Sequence, residues 1–325
     1  MRSYWAVTLV SLRELIRQPF FTITLFGGAF FILASPAFTM FTFLTSSVMV
    51  MDMGLSTILV VALTLGVLFA VLMVAREVEE KTTVSILSKP ISRFTFLTAK
   101  LTAICIAILL AIIPLISILI MTLRLGVPEA AYSEVEYPVL WMEFGPLVIA
   151  CIIGALGNYY ADKNFTSLFV ISLNLLYILF LFFLALLDEE FKFNPFKVKM
   201  HFELIKPALL IWWGGSLFAA LALLFSLSGR MMLALTLSLL IALVGLSADF
   251  LFTKMGKENW WAKALYALIP NLQIFWAQEF WEREKEVPLP YLFNVLRYTI
   301  LYITGIVFIA WGVWERKEVG VGRKG

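Results

Sequence analysis

The feature that most constrains this chain is a polar run, Arg76 to Lys100, held between two long apolar stretches, Ile58–Ala75 and Leu101–Met121. At roughly 1.5 Å of rise per helical residue, each stretch is long enough to cross a hydrocarbon core of roughly 30 Å. A charged stretch pinned between two such spans must sit in water on one side of the membrane. It carries Arg76, Lys81, Lys89, Arg93 and Lys100 against Glu77, Glu79 and Glu80. Short loops biased toward Lys and Arg stay in the cytoplasm, which sets the expected side of this one.

The run has its own internal grammar. Arg76 to Ser88 contains neither Gly nor Pro and can continue as helix beyond the membrane. Pro90 disfavours helix at Lys89, and Ser92 has the chemistry of an N-cap for the next helix. The expected product is a helix–break–helix elbow, residues 76–100, that presents a short helix to the cytosol. Such an element can dock a partner protein, or it can be a solvated connector.

These residues resemble the signature of permease subunits from the type-2 exporter family of ABC transporters. The family pattern is Arg-Glu-x-Glu-x-Gly-Thr, a Leu-rich turn, Ser-Lys-Pro-(Val/Ile)-Ser-Arg, and an aromatic before Gly-Lys. Arg76, Glu77, Glu79, Thr82, Leu87, Ser88, Lys89, Pro90, Ile91, Ser92, Arg93, Phe96 and Lys100 match it, while Lys81 and Ala99 stand where the family has Gly. The resemblance implies two permease subunits, this chain with a second copy or a homologue, and two separate ATP-binding cassette subunits that hold ATP and magnesium. It makes the elbow the ATPase contact, with Arg76, Glu77, Glu79, Thr82, Leu87, Pro90, Arg93 and Lys100 as its contact residues. Within the family the chain is most similar to permeases of multicopper-enzyme maturation, including the nitrous-oxide reductase copper-assembly type.

Hydrophobic residues make up 62% of the 325 and charged residues 14%, and mean hydropathy is +0.94. Soluble domains are nearer half apolar and a quarter charged, so the chain reads as one all-α, polytopic membrane domain. Eight spans are expected, about Phe20–Leu44, Ser56–Ala75, Phe94–Met121, Val139–Tyr160, Phe165–Leu187, Ala208–Leu227, Met231–Phe250 and Arg297–Trp314. They place both termini in the cytoplasm of an inner-membrane protein. Ahead of them, Trp5, Leu9, Leu12 and Ile16 fall at helical spacing beside Arg13, Glu14 and Arg17. That pattern is an amphipathic helix lying in the interface or the lower end of a long first span. The basic start lacks a small-residue cleavage site, so a removable signal peptide is not expected.

Between spans, Asn158–Asn164 allows no more than a tight hairpin turn. Asp188–Pro207 would be external, although its four lysines run against the positive-inside expectation. Lys254–Pro290, rich in Trp and broken at Pro270-Asn271, is expected as an external segment with two helices on the membrane surface.

Chemistry is sparse. There is no Gly-x-x-x-x-Gly-Lys-Ser/Thr phosphate loop, so any ATP is bound by another polypeptide and no enzymatic activity is expected of this chain. One histidine, His201, and two cysteines inside apolar segments offer no zinc cluster. Met40, Met49, Met51 and Met53 could hold Cu(I) as thioethers or serve as apolar filler. Gly245-Leu-Ser247 resembles the Gly-x-Ser motif of intramembrane serine proteases, but a helix–helix contact explains Ser247 better. Glu143, Asp249 and Arg297 sit near predicted span ends, where hydration keeps charge cheap. The small net charge of +3 gives no reason to invoke nucleic acid. Two other functions use the same spans: a non-transporting scaffold or mechanical coupler driven by an ABC ATPase, and an ion-coupled secondary transporter. The second is disfavoured by the few ionisable residues at midplane depth.

Overall fold

A computed structural model describes residues 2–38, 46–75, 92–125, 137–188, 192–195, 200–248, 269–276 and 287–321. Its long elements are helices: α1 (Arg2–Ile16), α2 (Pro19–Phe38), α3 (Ser46–Ala70), α4 (Arg93–Leu125), α5 (Tyr137–Ala161), α6 (Phe165–Ala185), α7 (Ile205–Ser226), α8 (Met231–Leu246) and α9 (Leu289–Val321). Among the described residues, seven helical segments are long and apolar enough to cross a membrane. They include α2 to α7 and α9, so the chain is a multi-pass membrane protein. The remaining expected span, Met231–Phe250, corresponds to α8, whose 16 described residues would rise roughly 24 Å, short of a full core. Among the described residues, the eight expected spans correspond to seven helices of full length and one shorter apolar helix. The end of α8 meets chain rather than lipid: the Leu272 N–H donates to the Gly245 carbonyl at 3.1 Å.

The bundle centres on α3, α4 and α7. Their most apolar windows are 67%, 72% and 72% buried, against 28% for α5 and α9, which explains their near-continuous hydrophobicity. α3 and α7 meet through small residues. A Cβ placed on Gly66 would lie 3.0 Å from the Gly215 carbonyl, and one on Gly215 would lie 3.1 Å from Ala62 Cβ. Lipid tails are as apolar as leucine, so membrane helices associate by such close packing rather than by hydrophobic exclusion. The next layer includes the Phe21–Phe69 stack between α2 and α3, centroids 5.6 Å apart.

Two prolines inside helices are accommodated in different ways. Pro36 has no N–H to reach the Ile32 carbonyl, and the Ser35 hydroxyl donates to that carbonyl at 2.7 Å. Pro114 in α4 deprives the Leu110 carbonyl in the same way, and Asn174 on α6 supplies the donor through Nδ2 at 3.0 Å. The second repair also ties α4 to α6.

α1 is a helix in its own right, separated from α2 by a turn at Arg17 and Gln18, so the first span does not continue back through it. It packs on α4, burying Thr8, Ser11, Leu15 and Ile16 and leaving Trp5 and Leu9 exposed. The expected hairpin between α5 and α6 is present. Asp162 adopts φ 48°, Asn158 Nδ2 donates to the Lys163 carbonyl at 2.8 Å, and Asn164 caps α6. Residues 269–276, expected on the surface, tuck inward instead. Phe275 is buried beside Gly214, Asn271 N–H donates to Tyr298, and the Tyr291 hydroxyl donates to the Ile274 carbonyl. Trp260, Trp261 and Trp281 lie outside the described residues.

Candidate functional site

Two described roots flank the expected elbow in sequence, the end of α3 and the start of α4. Past Ala70, α3 continues as one π-helical turn, Val71–Ala75. A π turn interrupts the regular ladder of main-chain bonds and recurs at functional places in helices. Val71 and Ala75 pack against Ala234 of α8, with Phe225 and Met231 around them.

The other root is capped as its sequence predicts. Ser92 Oγ accepts from the Thr95 N–H at 3.2 Å, and the Ser92 carbonyl accepts from the Phe96 N–H at 3.0 Å. Arg93 opens α4 and is half-buried. Lys100, one of the expected elbow contacts, turns into the bundle and is 2% exposed. Its ammonium donates to the Met73 carbonyl at 3.0 Å and sits 4.6 Å from the Phe96 ring centroid. A cation over an aromatic face and against a helical carbonyl is a favourable place for a buried lysine. Lys100 therefore bolts the first turns of α4 to the π turn of α3.

Other helices brace the same corner. The Thr8 hydroxyl donates to the Ala99 carbonyl at 3.3 Å, and Tyr4 and Thr102 share a hydrogen bond, which together clamp α1 to α4. Phe96 meets Trp314 of α9 edge to face, centroids 5.5 Å apart. The two roots are thus packed on each other, with α1, α8 and α9 in contact with them. Of the expected contact residues, Arg76, Glu77, Glu79, Thr82, Leu87 and Pro90 lie outside the described residues. Chemically the corner is a mechanical base, made of packed rings, one buried cation and main-chain acceptors.

No family model, curated protein or solved structure matches the chain.

Metal chemistry has little to build on. Among the described residues no group of three or more His, Cys, Asp or Glu side chains is placed to hold an ion. Met40 lies outside the described residues, and α3 turns Met51 to a different face from Met49 and Met53, two residues away on either side. His201 is paired with Glu203, Nδ1 to Oε1 at 2.9 Å, at the start of the α7 segment.

A second polar cluster lies toward the other end of α4. Glu143, read from sequence as a hydrated residue near a span end, is instead 2% exposed, with Thr122 of α4 on its carboxyl and Tyr177 of α6 donating to its main-chain carbonyl at 2.8 Å. Arg124 donates to the carbonyls of Leu184, Leu187 and Asp188, fastening the end of α6 to the end of α4. The available signal was that Glu143 is the single ionisable residue between Val139 and Ala150.

Proposed function

We propose that this chain is the membrane-spanning permease subunit of an ABC exporter-type complex. It would work as a pair, with a second copy or a homologue, and with separate ATP-binding cassette subunits on the cytoplasmic side of the inner membrane. The observation that carries this reading is the elbow motif, Arg76 to Lys100, set between two apolar helices whose roots are bolted together by Lys100. Closure of an ATPase pair is a rigid displacement, and only a stiff connection delivers displacement to the spans. A loosely tethered loop would absorb it. The resemblance to permeases of multicopper-enzyme maturation orients the search for a substrate without identifying one.

The test is Glu77→Ala with Glu79→Ala, coexpressed with an ATP-binding cassette subunit encoded beside this chain. The double change should release the ATPase or uncouple hydrolysis from transport while membrane insertion stays normal. Reversing the charge at Lys163, in the α5–α6 turn, should leave both unchanged. Copurification at wild-type yield with wild-type coupled activity would overturn the docking role, since exposed ion pairs that merely solvate a loop contribute about 0–1 kcal/mol each.

A further inference from the structure

The amino-terminal helix is turned the wrong way round for a surface in water. α1 sets Thr8 and Ser11 against the bundle and leaves Trp5, Leu9 and Val10 outward, 55%, 51% and 65% exposed. The buried Thr8 hydroxyl lies against the main-chain carbonyls of Tyr4 and Ala99. An outward face of that chemistry on a membrane protein is stable against lipid rather than water. The expected apolar stripe Trp5, Leu9, Leu12 and Ile16 is therefore split, with Ile16 in the core and its first two residues facing out.

That outward stripe changes character along its length. Trp5, Leu9 and Arg13 follow at four-residue spacing within α1, Arg17 comes one turn later at its end, and all four are exposed. Two contacts set the direction. Tyr4 pairs with Thr102 and Thr8 with the Ala99 carbonyl, so α1 runs back along α4 toward Ser92 as its own numbering rises. Trp5 thus lies beside the deeper turn of α4, and the arginines lie toward the end of the span, roughly 18 Å of helix further on. Apolar carbon first and cationic donors further out is the complement of a phospholipid, whose acyl chains lead to a phosphate. The outward face of α6, with Ile171, Leu175, Ile178 and Phe182, is apolar throughout and matches tails alone.

Among the described residues neither guanidinium is in an ion pair, and the exposed Glu14 between them pairs with neither. Arginine offers a planar fork of donors that fits phosphate oxygens, and neighbours one helical turn apart can share one such group. We propose that α1 carries a binding site for an anionic phospholipid of the leaflet in which α4 begins. Arg13 and Arg17 hold its phosphate, and an acyl chain lies along Leu9 and Trp5. This assignment stands apart from the ATPase reading and needs no nucleotide to test.

The experiment is native mass spectrometry of the full chain released from nanodiscs of equal parts dioleoylphosphatidylglycerol and dioleoylphosphatidylcholine. The wild type should retain phosphatidylglycerol in preference. A basic residue near an anionic surface contributes about fivefold in affinity, so Arg13→Gln with Arg17→Gln should cut that preference about 25-fold. Both side chains are exposed, so thermal stability in pure phosphatidylcholine should stay at the wild-type value. Arg13→Lys with Arg17→Lys keeps the charge and should recover most of the preference. Arg230→Gln, at an exposed basic residue before α8, should leave it unchanged. Phosphatidylglycerol brominated on its chains should quench the part of the fluorescence that Trp5→Phe removes, and quench it less in the double Gln variant. A wild type without preference, a preference that survives the double Gln change, or an equal loss from Arg230→Gln overturns the site. Displacement by excess inorganic phosphate overturns the lipid in favour of a soluble anion. Trp5 quenching that ignores the double Gln change overturns the placement of the acyl chain.

Discussion

Replacing Asn174 with leucine should destabilise the bundle by about 1 kcal/mol, and the loss should depend on Pro114. Asn174 gives one Nδ2 hydrogen to the Leu110 carbonyl at 3.0 Å and the other to the Val170 carbonyl at 2.9 Å. Val170 keeps the main-chain partner that any helical carbonyl has four residues on, so its loss is minor. Leu110 has no such reserve, because its partner would be Pro114. A buried acceptor left unmatched costs about 1–3 kcal/mol in soluble proteins, while interhelical hydrogen bonds in membranes average nearer about 0.6 kcal/mol. Leucine also removes Asn174 Oδ1, a buried atom without a hydrogen-bond partner among the described residues, which offsets part of the cost. In a Pro114→Ala background the alanine N–H can reach Leu110, and the leucine substitution should then cost little. Reversible unfolding in mixed micelles, followed by tryptophan fluorescence across the four proteins of the cycle, measures the coupling directly. A coupling energy of zero, with Asn174→Leu equally harmful in both backgrounds, would refute the repair of the freed carbonyl.

Two further outcomes follow from the packing. Gly66→Leu should lower folded yield and cost at least about 1–3 kcal/mol by overpacking the α3–α7 crossing. Gly27→Leu is its control, since nothing lies within 4 Å of a Cβ there, and it should be near neutral by thermal denaturation in detergent. Lys100→Met keeps the apolar stem over Phe96 but leaves the Met73 carbonyl without its cation. It should cost about 1–3 kcal/mol, and exchange of the amides of 92–100 should quicken more than that of α6. Unchanged exchange at the elbow root would argue against the bolt.

Much of the architecture was legible because a bilayer restricts backbone choices so severely. Long apolar runs had to be helices, Ser92 had to cap something, and Asn158 to Asn164 left room for a turn alone. What could not be read were the pairings. Periodicity says which face of a helix is apolar, not which neighbour it meets, so Asn174 gave no hint of Leu110. Lys100 looked like one more basic residue of a solvated loop. Its inward turn depends on a π turn in another helix, and the apolar sequence Val71–Ala75 carries no mark of that. Glu143 looked cheap because it is near a helix end, but Thr122 of α4 and Tyr177 of α6 pack on it and it is buried. At the elbow, Arg76 to Pro90 stay a matter of sequence and resemblance, with the two roots as their structural context.

The glycine crossing also limits how the bundle can move. Along α3 the crossing face reads Ala62, Gly66, Ala70, and along α7 it reads Ile211, Gly215, Ala219, Leu223. Sliding one helix past the other by a turn, about 5.4 Å, would bring Ile211 or Ala219 into the tight slot that Gly215 now fills without a side chain. Axial travel is therefore stopped in both directions by side chains already in place. A push arriving at the end of α3 has to carry α7 with it, so the pair can tilt or rotate as one strut but cannot telescope.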